Sequence, residues 1–185
     1  MLKMANGMGI LWRSIAVGAA LCLTVGVAQA QTQIRFVPGL AHIPCEGGTI
    51  GIDVIADVGV GDLRAASLVI AFDKDVVRPV SVEAGSALTE LPCQSVTFWN
   101  GATDADSVAI DLAGLGCSVT GTGAIAHIVF RNQGAGESPL TVRSARLRDA
   151  QNESLGYTAD SGAIHVECAI GNERATWGAT KSLYR

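Results

Sequence analysis

The side chains that could do chemistry are few in this sequence and lie far apart. The three histidines, His42, His127 and His165, stand in separate segments with no pair at a metal-binding spacing. No serine occupies a G-x-S-x-G motif, and no nucleophile has a general base placed near it. The residues therefore predict a non-enzyme without a histidine metal site.

Oxygen ligands are grouped only in polar loops. Asn100, Asp104 and Asp106 share one loop and offer oxygens of the kind that calcium prefers, but the spacing lacks the EF-hand glycine and terminal glutamate. Asp73 and Asp75 are typical of a turn in which an aspartate caps its own backbone. A polar turn is the favoured interpretation of both groups, and calcium remains the alternative for a cofactor.

The first thirty residues predict an export signal. Lys3 and Arg13 precede the apolar run of residues 15–27, and Ala28-Gln29-Ala30 is a small-x-small cleavage site, so the mature chain is expected to begin at Gln31. The run is short for a membrane span. A lipoprotein is not favoured, because Leu21 rather than a small residue precedes Cys22. We expect a secreted, extracellular or cell-envelope protein with no membrane span after cleavage.

Charge argues against two classes of partner. The signal contains two of the 13 Lys and Arg residues and none of the 17 Asp and Glu residues, so the mature chain has 11 against 17, a net charge of −6. Such a chain is not suited to nucleic acid or to an anionic membrane surface.

The rest of the chain has the pattern of an all-β sandwich. Along residues 66–72 the large side chains Leu68, Ile70 and Phe72 alternate with the smaller Ser67 and Val69, which is the two-residue period of a strand with one buried face. Segments of this kind, separated by Gly, Asn and Asp turns, are typical of a sandwich. The nine predicted strands are residues 33–37, 49–58, 66–72, 76–82, 96–99, 108–112, 124–131, 140–148 and 162–166.

Four cysteines lie beyond the signal, and an even number in an oxidising compartment favours two disulfides, for which three connectivities are open. If residues 96–99 and 108–112 form an antiparallel hairpin, Cys93 and Cys117 lie at the same end of it. That favours Cys93–Cys117 and leaves Cys45–Cys168.

Three motifs, in this order, resemble the cohesin family. They are an "fD-x-x-V" turn at residues 72–77, an "sV-x-x-G" segment at 81–85 and a "G-x-G-x-l-a-x-i-x-F" strand at 121–130. The resemblance covers roughly residues 33–167. It implies a nine-stranded jelly-roll sandwich spanning residues 31–168, and its sheet order also implies the Cys45–Cys168 bridge.

Cohesins of cellulosomes bind dockerins through the sheet that contains the third, fifth, sixth and eighth strands. Carried over to this chain, the resemblance implies a protein partner, dockerin-like or another exported protein, bound on one sheet face. The predicted contact residues are Ser67, Val69, Ala71, Thr97, Trp99, Ala109, Asp111, Arg143 and Arg146.

Two alternatives to a protein-binding module stay open. Trp99, the tryptophan within the sandwich, could stack on a sugar ring or pack in the core, although a polysaccharide platform usually has several aromatic side chains. The chain could also self-associate through strand edges or through its tail. The tail, residues 169–185, has the aromatic and apolar residues Trp177, Leu183 and Tyr184, which suggest a docking segment, a segment that folds back on its own domain, or a disordered end.

Overall fold

The computed structural model describes residues 31–59, 61–101 and 105–168. Within them the chain forms twelve β-strands and one helix of a single turn. The elements are β1 (Thr32–Val37), β2 (Leu40–Pro44), β3 (Thr49–Asp57), β4 (Ala65–Ala71), β5 (Val77–Ala84), α1 (Ser86–Thr89), β6 (Gln94–Asn100), β7 (Ser107–Leu115), β8 (Thr122–Asn132), β9 (Gly136–Arg148), β10 (Ser154–Leu155), β11 (Tyr157–Ala159) and β12 (Gly162–Glu167).

The strands form two sheets. The smaller sheet has the order β11-β1-β3-β8-β5, and the larger has the order β2-β12-β9-β4-β7-β6, with β10 pairing to β9. Most neighbours are antiparallel, while β1–β11 and β2–β12 are parallel. The predicted all-β sandwich is confirmed.

All nine predicted strands are present, and three more were missed. β10 and β11 have only two and three residues, which is too short for a periodic signal. β2 lies directly between the turn at Pro38-Gly39 and Cys45, and it is held mainly by pairing with β12 at the other end of the chain. The single-turn helix α1 lies in the connection between β5 and β6, where no helix was predicted.

The core lies between the sheets and follows the predicted alternation. Leu68 and Ile70 of β4 are fully buried, whereas Ser67 and Val69 between them are only half-buried. Phe72 meets the fully buried Phe130 of β8 edge-on, with ring centroids 5.7 Å apart. Edge-to-face contact is a favoured geometry for aromatic pairs, so the ends of β4 and β8 are joined across the core.

Asp73 ends β4 in the predicted manner. Its Oδ1 accepts a hydrogen bond from the backbone N–H of Asp75 at 2.9 Å, and its own N–H donates to the buried hydroxyl of Ser138 at 2.8 Å. The carboxylate therefore caps the turn rather than pointing away from it as a free ligand.

Both predicted disulfides are formed. Cys45 is bonded to Cys168, 123 residues away, and Cys93 to Cys117, 24 residues away. The second pair closes the end of the β6–β7 hairpin, and the first joins the ends of β2 and β12.

The predicted signal and tail, with Trp177, Leu183 and Tyr184, lie outside the described residues. Within the described part of the chain, no helix is long and apolar enough to cross a membrane.

Candidate functional site

The candidate site is the outward face of four neighbouring strands, β9, β4, β7 and β6, which we call the candidate face. β4 lies between β9 and β7, and β6 is the edge strand next to β7. These are the third, fifth, sixth and eighth predicted strands, so the structure places them side by side in one sheet.

Residues that face each other across the strands form rows on this surface. The central row runs from Arg146 of β9 through Ser67 of β4 and Asp111 of β7 to Phe98 of β6. The next row consists of Ser144, Val69, Ala109 and Asn100, and the row on the other side consists of Arg148, Ala65, Ala113 and Val96.

The middle of the candidate face is a floor of small side chains. Ser67, Val69 and Ala71 point away from the core, because they alternate with the buried Leu68 and Ile70. No long side chain of β4 stands above this floor, so a partner could approach the sheet closely.

The structure corrects the predicted position of two residues on β6. Thr97 lies opposite the buried Leu112 and Trp99 opposite the buried Ile110, so both side chains are on the core side of the strand. Asp111 is instead opposite Phe98. The prediction that Thr97 and Trp99 share a face with Asp111 is wrong, because a one-residue error in hairpin register exchanges the two faces of a strand.

Trp99 occupies an edge position between the two sheets. Its indole ring lies close to Gly101 and is still 39% exposed. The hydroxyl of Thr97 is buried without a hydrogen-bond partner. Both residues therefore help to close the side of the sandwich at its β6 edge.

Sequence reasoning missed Phe98, the most exposed large apolar side chain of the described residues at 69%. Leu115, at 52% exposed, ends β7 on the same face. The run Phe98-Trp99 signals an aromatic on each side of a strand, but only the register with β7 decides which of the two faces outward.

Arg143 reaches across β4 because of a β-bulge. The register passes from Val69 opposite Ser144 to Ile70 opposite Val142, which leaves Arg143 as the inserted residue of β9. Its guanidinium forms two contacts with Asp106, at 3.1 and 3.4 Å. The ion pair therefore borders the floor at the Ala71 end.

The Arg143–Asp106 ion pair also favours the ionised form of the carboxylate. The hydrogen bond from Arg143, together with the attraction of its positive charge, lowers the pKa of Asp106 below its ordinary value. Because Asp106 is paired with Arg143, its carboxylate is less available to bind calcium. The pairing therefore weakens the interpretation of residues 100–106 as a calcium-binding loop. Asp104 of that loop lies outside the described residues.

The histidines divide between two locations. His127 belongs to the smaller sheet, where its Nδ1 contacts Asp53 Oδ1 at 2.6 Å. His42 and His165, which the sequence separates by 122 other residues, lie opposite each other on β2 and β12. The sequence analysis did not predict this pairing, because no local pattern in the sequence signals it.

Comparisons with known proteins identify the fold. No protein-family model and no curated protein sequence matches the chain. Solved structures do match: a non-cellulosomal cohesin from Archaeoglobus fulgidus has a TM-score of 0.62 at 16% identity, covering 75% of this chain and 92% of that chain.

Two further cohesins match in the same way. A type I cohesin solved in complex with a dockerin, from Clostridium thermocellum, has a TM-score of 0.61 at 17% identity, over 75% of this chain and 100% of that one. A type II cohesin domain from the cellulosome of Acetivibrio cellulolyticus has a TM-score of 0.59 at 13% identity, over 74% of this chain and 95% of that one. Given the sandwich, its strand order and these matches, the chain has a cohesin-like fold.

Proposed function

We propose that this protein is a non-catalytic interaction module that binds an exported protein partner through the candidate face. The observation that carries the proposal is Phe98, a large apolar side chain that is 69% exposed beside a floor of small residues. Aromatic side chains are enriched in protein–protein interfaces, where a few buried anchors carry most of the binding free energy. The cohesin-like fold supports a protein partner, since similar structures include cohesins in complex with dockerins.

The charges of the candidate face suggest what the partner presents. Arg146 and Arg148 of β9 form a basic border on one side of the floor, while Asp111 lies on the other side next to Phe98. A partner with an apolar side chain over the floor and an acidic group toward β9 would complement this arrangement.

Export is part of the proposal. The predicted signal at residues 1–30 and the two disulfides both suit an oxidising compartment. A dockerin-like partner would itself need calcium to fold, so its binding would depend on calcium even if this chain holds none.

The face gives less support to polysaccharide binding. Phe98 and Trp99 lie on opposite sides of β6, so the two aromatic rings cannot form one planar platform for a sugar chain. The alternative of self-association through strand edges is tested by the capture experiment described next.

The test is capture of partners from the exported and envelope fraction of the source organism, with and without calcium. Phe98→Ala is the test variant. Leu40→Ala is its matched control, because Leu40 is 56% exposed at the opposite edge of the same sheet. We expect Phe98→Ala to weaken the affinity for the captured partner by roughly 2 kcal/mol or more, about thirty-fold, and Leu40→Ala to leave it unchanged.

Equal affinities of the two variants for the captured protein would refute the candidate face as the binding site. Retention on a polysaccharide without any protein partner would replace the proposal with the carbohydrate-binding one. Capture of the same chain alone would favour self-association.

A further inference from the structure

Two histidines and a carboxylate meet on β2 and β12 of the larger sheet, outside the four strands of the candidate face. His42 of β2 is directly opposite His165 of the parallel strand β12, with ring centroids 5.6 Å apart. Glu167 follows two residues after His165, so its side chain points to the same face of the sheet. We call these three residues the His–His–Glu cluster.

The donor atoms of this cluster converge. His42 Nδ1 lies 3.1 Å and His165 Nδ1 3.9 Å from the same oxygen, Oε1 of Glu167. One ligand atom from each residue lies within 4.8 Å of the other two. Around a tetrahedral zinc ion with bonds of about 2.1 Å, donor atoms stand about 3.4 Å apart, so side-chain rotation alone would complete the geometry.

We propose that the His–His–Glu cluster is a binding site for a divalent transition-metal ion of the zinc type. Two imidazole nitrogens with one carboxylate are a donor set that zinc, copper and nickel accept, whereas calcium requires six to eight oxygens. Three protein ligands leave a coordination position open for water or for a donor from another molecule.

The local charge suits a cation. Neither β2 nor β12 contains a Lys or Arg residue. Glu137 of β9 lies opposite His165 on the other side, so a second carboxylate borders the cluster. With neutral imidazoles, Glu167 and Glu137 together match the two positive charges of the ion.

The backbone under the cluster is held in place. His42 cannot slip past His165 without breaking the β2–β12 ladder, and β12 is itself held on its other side by β9. Glu167 is opposite Pro44, and the next residue along each strand belongs to the Cys45–Cys168 disulfide. The scaffold is therefore rigid, while the three side chains are between 43% and 64% exposed and free to rotate onto a metal.

The experiment is isothermal titration calorimetry, in which Zn²⁺ is added to the full chain in metal-free buffer. The chain has no polyhistidine tag. Cys22 is replaced by serine throughout so that its thiol cannot contribute. We expect one zinc ion per chain. His42→Ala and His165→Ala should each weaken zinc binding by roughly tenfold or more, because even groups that only support metal ligands contribute 10–100-fold.

His127→Ala is the matched control, since it removes the remaining histidine from the other sheet. Glu167→Gln keeps the size of the side chain and tests the carboxylate, and circular dichroism checks that each variant is folded. Electron paramagnetic resonance of the Cu²⁺-loaded protein should report two nitrogen ligands, and one after His42→Ala. Absence of zinc binding to the unsubstituted chain, or equal losses in the His127 and His165 variants, would overturn the proposal.

Discussion

The two disulfides close loops of very different length in one molecule. Removing each in turn therefore measures how much the restriction of the unfolded chain contributes to stability. Cys45–Cys168 closes a separation of 123 residues and Cys93–Cys117 one of 24. All four of these cysteines are half-buried, and Cys168 of the longer bridge also packs against the hydrophobic core, so its replacement adds a small loss of packing. The perturbations are the double variants Cys45→Ala/Cys168→Ala and Cys93→Ala/Cys117→Ala.

The expected magnitudes follow from loop length. Restricting the unfolded chain by a bridge across 123 residues is worth about 4.9 kcal/mol, and across 24 residues about 3.4 kcal/mol, at 25 °C. Loss of the long bridge should therefore lower the free energy of unfolding by about 1.5 kcal/mol more than loss of the short one.

The assay is urea unfolding followed by far-ultraviolet circular dichroism, with linear extrapolation to water. Circular dichroism is preferred to fluorescence because Trp12 and Trp177 lie outside the described sandwich. Equal losses, or a larger loss for the Cys93–Cys117 pair, would refute the argument from loop length.

Three further predictions concern single sites. Gly51→Ala should lower the free energy of unfolding by about 1 kcal/mol, since the new Cβ would stand 2.5 Å from the half-exposed His127 ring and turn the ring away from its contact with Asp53; thermal unfolding measures the loss. Thr97→Val should raise the free energy of unfolding by about 1 kcal/mol, because it removes a buried hydroxyl that has no partner; urea unfolding measures the gain. Arg143→Gln should raise the lowered pKa of Asp106, observed by NMR titration of the carboxyl carbon.

Each of these has a control and a contradicting result. Gly39→Ala meets only an ordinary contact at 3.8 Å, so a loss as large as that of Gly51→Ala would contradict the steric argument. If Thr97→Val instead lowered the free energy of unfolding, the Thr97 hydroxyl would have a hydrogen-bond partner after all.

For Asp106 the sign of the pH effect is fixed. Because the pKa of Asp106 is lower in the folded state, the ionised carboxylate stabilises the fold at pH values above the pKa that Asp106 has in the unfolded chain. This stabilisation is lost as the pH falls through the lower pKa of the folded state. If the pKa of Asp106 were the same in the Arg143→Gln variant, the ion pair would not be the cause of the lowered pKa.

The strands of this protein could be predicted because their signals are local. The alternation of Leu68 and Ile70 with Ser67 and Val69 depends only on the two-residue period of a strand. Turn residues marked the ends, and the β6–β7 hairpin brought Cys93 and Cys117 to one end because their separation is short. The missed strand β2 shows the limit of such signals, since its pairing partner is more than a hundred residues away.

The candidate face contains one strand, β4, whose outward side chains were predicted correctly and one, β6, whose outward side chains were not. On β4 the large and small side chains differ enough for the sequence to separate inward from outward positions, and Ser67, Val69 and Ala71 do point outward. On β6 both Phe98 and Trp99 are large and aromatic, so composition could not decide between them. The register with β7 decided, turning Phe98 to the solvent and Thr97 and Trp99 toward the core side.

By itself, then, the amino-acid sequence determined the all-β class and the order of the main strands, and it favoured the two disulfide pairings that the structure contains. Only the tertiary structure brought His42 to His165 and Glu167, and only it placed Phe98 rather than Trp99 on the outward face. The physical reason is that strand formation depends on neighbours along the chain. Contacts between strands depend instead on register and sheet order, which are set by packing and backbone hydrogen bonds over the whole sandwich.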